Sequence, residues 1–114
     1  MTDESTRVAL ADAEQLLLRS LDCMINLLGN GHWSDHFQRC RSDLLSAKTW
    51  ETKNAAASRI RSVYGGMGSF NDWYVDGTTE NGDFDDLRTK LYDLSRTYEN
   101  PKFAKLLLSD EGLA

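Results

Sequence analysis

Proline is almost missing from this 114-residue sequence, and Pro101 is its only copy. Nothing before position 101 therefore breaks a helix through a lost N–H or a ring clash. Cysteine is nearly as scarce, with only Cys23 and Cys40. Their spacing forms no CxxC pair, which removes the zinc-ribbon and thioredoxin-type readings. Both are expected to be buried as small hydrophobes. No apolar run approaches the roughly 18 residues of a membrane-spanning helix. Asp3 and Glu4 precede the first apolar stretch, and Arg19 and Asp22 interrupt it, which argues against a secretory signal and for a cytoplasmic protein. Basic residues are in deficit, 13 against 18 acids, for a net charge of −5. That balance argues against general binding to nucleic acid or to anionic membranes. What is present is a 40% hydrophobic, 10% aromatic chain, too apolar for intrinsic disorder. Its length fits a single domain over residues 1–114 that buries about two-thirds of its surface on folding.

Period-3.6 patterns dominate and predict an all-α fold: a compact bundle of four main helices plus a short C-terminal one. The first helix is expected from Ser5 to Leu28, stopped by Gly29-Asn30-Gly31. Leu10, Leu17, Leu21, Met24 and Leu28 form one stripe. Leu16, Leu18, Cys23, Ile25 and Leu27 extend it almost all round, the pattern of a central helix. A second helix is expected over Ser34–Ala47, with Ser34 as N-cap and Trp33, Phe37, Cys40, Leu44 and Leu45 facing inward. A third, over Thr52–Tyr64, turns Ala56, Ile60, Val63 and Tyr64 inward, with Trp50 just ahead of it and Gly65-Gly66 ending it. A fourth, over Phe84–Tyr98, carries a seam of Phe84, Leu87, Leu91, Leu94 and Tyr98. Pro101 opens the last helix, with Phe103, Leu106 and Leu107 on one side.

Between the third and fourth helices lies a long connection, Gly65 to Gly82, of the kind that is usually functional. Met67, Phe70, Trp73, Tyr74 and Val75 predict an ordered first half, and Asp76 to Gly82 a mobile tip. Charge is uneven around it. Residues 39–61 hold six bases and two acids, whereas residues 62–87 hold six acids and no base. Those acids are Asp72, Asp76, Glu80, Asp83, Asp85 and Asp86. Some of this charge suits a helix N-terminus. Beside Trp73 and Tyr74 it also suits a docking surface for a basic partner.

Catalytic and metal patterns fail one after another. His32-x3-His36-x3-Cys40 has ligand-type spacing, but His32 is expected to precede its helix and no HExxH glutamate is present. A calcium loop starting at Asp76 would put Thr78 at position 3 and Asn81 at the glycine position. Gly66-Met67-Gly68 opens like a dinucleotide fingerprint, but Asn71 replaces the third glycine. The same run has no phosphate-loop lysine, and Asn71 also spoils a nucleophile elbow at Ser69. The expectation is a protein without catalytic residues, metal or cofactor.

What remains is the box Tyr64-Gly65-Gly66-Met67-Gly68-Ser69-Phe70-Asn71-Asp72. Its glycines allow close backbone approach, and Ser69 and Asn71 can bond back to the chain, so the run reads as a structural loop. Successive N–H groups there could also cradle an anion. With His32-Trp33 and the Leu-Arg-x-x-Leu-Tyr-x-Leu stretch at Leu87–Leu94, this box resembles a family of small bacterial proteins without an assigned activity. The resemblance runs from the first helix to Tyr98. In that family an aliphatic pair follows the Asp; here Trp73-Tyr74 stand instead. Small acidic proteins of this kind resemble immunity proteins. The resemblance implies a cognate toxin domain with a basic cleft as partner, bound through Asp72, Trp73, Tyr74, Asp76, Glu80, Asp83, Asp85 and Asp86. Two other readings stay open: a nucleotide or small-ligand sensor built on the glycine box, and a housekeeping interaction or oligomerisation module.

Overall fold

The computed structural model describes residues 2–29, 31–63 and 81–109. Over these residues the chain is an all-helical bundle: α1 (Thr2–Leu28), α2 (His32–Ser46), α3 (Trp50–Arg61), α4 (Asn81–Leu94) and the short α5 (Pro101–Leu108), with a 3₁₀ turn at Thr97–Glu99 ahead of α5. None of the described helices is long and apolar enough to cross a membrane. A 27-residue helix spans about 40 Å. The molecule measures 52 × 22 × 21 Å, so α1 lies along its long axis.

The core follows the seam read from the sequence. Leu10, Leu17, Leu21 and Met24 of α1 are buried with Phe37, Cys40 and Leu44 of α2 and with Ala56, Ala57 and Ile60 of α3. Leu91, Tyr98, Leu106 and Leu107 complete the cluster. α1 packs against α2, α4 and α5, while α3 packs chiefly against α2 and the 3₁₀ turn. Among the described residues, these neighbours leave one side of α1 open. The expected apolar girdle is therefore incomplete: Leu18, Ile25 and Leu27 are partly buried, but Leu16 is 43% exposed. Cys23 is exposed too, against the expectation that both cysteines are buried. Leu45 also faces outward rather than into the core.

Local chemistry moves several helix ends. Gly29 takes a left-handed φ of 69° and ends α1, with its N–H donating to the Ile25 carbonyl at 3.0 Å. Gly31, at φ 137° and ψ −170°, then starts α2 two residues earlier than expected. Few residues but glycine reach that region. As a result His32 is the first residue of α2 rather than its forerunner. Ser34 is not the cap but a buried residue of the first turn, accepting from Gln38 Nε2 at 3.1 Å.

α3 starts at Trp50 because Thr49 caps it reciprocally with Thr52, each backbone N–H donating to the other's hydroxyl at 3.2 Å. It ends at Arg61, short of the glycine pair, where the Ser62 hydroxyl donates to the Arg59 carbonyl at 2.6 Å. α4 begins at Asn81, so Asn81 and Gly82 are helical rather than part of a loop tip. It ends at Leu94, not Tyr98. Ser95 Oγ donates to the Tyr92 carbonyl and Thr97 Oγ1 to the Leu94 carbonyl, each at 2.6 Å, and these side-chain bonds compete with the helical ladder. Pro101 opens α5 as expected, with Asn100 Oδ1 accepting from the Lys102 N–H at 3.0 Å.

Candidate interaction surface

The glycine box (Gly65, Gly66, Met67, Gly68, Ser69, Phe70 and Asn71) lies outside the described residues. So do Asp72, Trp73, Tyr74, Asp76 and Glu80 of the expected partner surface. The backbone of Asp83 and Asp85 is placed in the first turns of α4, and Asp86 follows there with an exposed side chain. Three acids thus share the N-terminal half of one helix. The positive end of a helix dipole favours carboxylates there.

The basic segment 39–61 contributes to the scaffold. Four of its six bases are tied into the bundle. Arg41 Nε lies 2.6 Å from Asp22 Oδ1 of α1. Lys53 Nζ lies 2.7 Å from Glu14 Oε2, also of α1. Arg59 pairs with Asp43 of α2. Arg61 reaches the 3₁₀ turn, with Nη2 3.4 Å from Glu99 Oε1 and Nη1 donating to the Ser95 carbonyl at 2.6 Å. That last bond places a cation on an orphan carbonyl just past α4, where the helix dipole is negative. None of these four pairings was legible locally, because each joins elements far apart in sequence or depends on helix phase.

A part-buried polar cluster joins α1, α3 and the 3₁₀ turn. The Tyr98 hydroxyl donates to Glu14 Oε2 at 2.6 Å, the same oxygen that accepts from Lys53. The Lys53 ammonium also lies 5.9 Å from the centre of the Tyr98 ring, within cation–π range. Trp50 Nε1 donates to the Tyr98 carbonyl at 2.9 Å. Burial, then the bond to the Glu14 carboxylate, hold the Tyr98 phenol far above its usual range. A neutral, fully satisfied phenol is a structural tie between helices.

On α2, His36 Nε2 lies 3.0 Å from the Arg59 carbonyl and 3.6 Å from Cys40 Sγ. A carbonyl only accepts, so the proton sits on Nε2. Burial lowers the His36 pKa, although the carbonyl bond partly opposes it. Burial, aided by Asp43, pushes the Cys40 thiol up to about 11. A protonated thiol beside a neutral imidazole is the reverse of an activated Cys–His pair. His32 is exposed and packs edge-on against Trp33. Among the described residues no group of three or more His, Cys, Asp or Glu is placed to hold a metal ion. A groove of about 420 Å³ runs between α2 and α3, lined by Asp43, Ser46, Lys48, Thr49, Thr52 and Arg59 among others. Its Thr49 and Thr52 hydroxyls are engaged in the cap, and Arg59 is engaged by Asp43.

With this geometry in place, comparison with known proteins assigns a family. The chain belongs to the family described as Domain of unknown function (DUF6966), whose model matches residues 27–83. That span runs from the end of α1 through α2 and α3 into the first turn of α4 and includes the glycine box. No curated protein and no solved structure matches the chain.

Proposed function

We propose that this chain is a bacterial immunity protein that binds and neutralises a cognate toxin domain through an acidic, aromatic-bearing surface and carries out no catalysis itself. Asp72, Asp76, Glu80, Asp83, Asp85 and Asp86 supply the charge, and Trp73 and Tyr74 are the anchors. The observation that carries this reading is where the basic segment points. Arg41, Lys53, Arg59 and Arg61 are engaged by Asp22, Glu14, Asp43 and Glu99, none of them among the six acids of 62–87. Four bases of the positive block are built into the scaffold, and this reading assigns the negative block to a partner. A basic cleft meeting such a surface gains mainly in encounter rate and in discrimination. The state of the Cys40–His36 pair supports a binding role over a nucleophilic one.

The test is titration of any toxin domain encoded immediately upstream of this chain. Stoichiometric loss of the toxin's activity is the expected result. Undiminished toxin activity in the presence of excess chain would remove the proposal.

A further inference from the structure

The open side of α1 carries a pattern that the toxin-binding reading does not use. Val8, Asp12, Leu16, Arg19 and Cys23 are all exposed, Val8 at 57% and Leu16 at 43%. At 100° per residue they fall within an arc of about 80° on the helix. The buried stripe of Leu10, Leu17, Leu21 and Met24 lies on the opposite side. Two large apolar side chains and a thiol thus alternate with one acid and one base along a single outward face. Asp12 and Arg19 are about 10 Å apart along the helix axis, too far to pair with each other.

We propose that this stripe is the contact face for a second copy of the chain, with two α1 helices packed antiparallel about a two-fold axis between Gln15 and Leu16. The charge order selects the partner and the direction. In a parallel pair in register, Asp12 would meet the partner's Asp12 and Arg19 the partner's Arg19, and both contacts repel. In the antiparallel pair, residues whose numbers add to 31 stand level. Asp12 then faces the partner's Arg19 twice over, Val8 packs on the partner's Cys23, and the two Leu16 side chains meet beside the axis. Such an isologous contact is the commonest form of homodimer. One pair of helix faces covers less than the about 800 Å² per partner of a standard stable interface. The dimer is therefore weak and depends on concentration.

Val8→Cys tests this geometry directly. Cys23 lies about 22 Å from position 8 along the same helix, so the two cannot bond within one chain, and Cys40 is buried. Mild oxidation is expected to give a covalent dimer linked from position 8 to the partner's Cys23, identified by peptide mass. Its formation should be at least about tenfold faster than any dimerisation of the unmodified chain, because the interface supplies the effective concentration. In the antiparallel pair the two native Cys23 thiols are held about 22 Å apart. Leu16→Glu, at an exposed position, should abolish the acceleration. Asp12→Arg should slow it, and adding Arg19→Asp should restore it. Equally fast Cys23–Cys23 linkage in the unmodified chain would overturn the antiparallel arrangement. Indifference to Leu16→Glu, or a monomer by sedimentation up to about 1 mM, would overturn the dimer altogether.

Discussion

Tyr98 is fully buried, and its hydroxyl shares the Glu14 carboxylate oxygen with Lys53. Removing the phenol oxygen leaves the ring's packing intact but takes one charge-assisted bond from Glu14. Tyr98→Phe should cost about 1.5–3 kcal/mol in urea unfolding, against about 3–5 kcal/mol for Tyr98→Ala, which also leaves a cavity. Glu14→Leu replaces the carboxylate with an apolar group and leaves Lys53 without its counter-charge; it should be destabilising as well. His36 supplies a pH prediction. Its folded-state pKa is depressed by burial, so the unfolded chain takes up a proton first as pH falls. Between the unfolded value of about 6.5 and the lower folded value, unfolding is favoured by each step down in pH. Urea midpoints measured from pH 7 to pH 5 should fall more steeply in the parent chain than in His36→Gln. Equal slopes would mean that His36 titrates alike in both states.

At the scale of elements, much of the bundle could be read from spacing. The seams Leu10-Leu17-Leu21-Met24 and Phe37-Cys40-Leu44 repeat at helical intervals, and Pro101 marked the start of α5 to the residue. The misjudged ends have local causes that periodicity does not encode. α2 starts at His32 because Gly31 occupies a conformation with φ 137° and ψ −170°, and that choice turns Ser34 from a cap into a core residue. α4 stops at Leu94 because the Ser95 and Thr97 hydroxyls cap its carbonyls; the 3₁₀ turn then carries Tyr98 toward Glu14. Leu16, Cys23 and Leu45 look like core by composition. Leu16 and Cys23 are exposed because, among the described residues, α2, α4 and α5 cover the other sides of α1, and Leu45 points outward from α2; both are facts of tertiary arrangement. The acids of the candidate site were legible as a charge run, but only Asp86 has a described side chain. Gly31→Ala is expected to cost about 1–3 kcal/mol. Asn100→Ala, which removes the cap of α5, should cost about 1 kcal/mol. Differential denaturation of the two variants checks both.

At the scale of the whole molecule, the net charge of −5 is sorted between two tasks. Ion pairs to Glu14, Asp43 and Glu99 fix α3 against α1, α2 and the 3₁₀ turn, and the Arg41–Asp22 pair fixes α2 against α1. Lys53 and Arg61 are the least exposed bases in these pairs, so their loss matters more than that of the exposed Arg59–Asp43 pair, whose contribution is about 0–1 kcal/mol. On the proposed reading the acids of 62–87 face a partner, and an interaction of that origin weakens with salt as charges are screened over about 10 Å at 0.1 M. The most direct measurement is the association rate with any toxin domain encoded immediately upstream, across ionic strength. It compares the parent chain with one in which Asp72, Asp76, Asp83, Asp85 and Asp86 become Asn and Glu80 becomes Gln. The parent should associate fast at low salt and slow steeply as salt rises, whereas the neutralised chain should be about 10–100-fold slower at low salt and nearly flat. Identical rates and salt slopes for the two chains would contradict docking through this acidic surface.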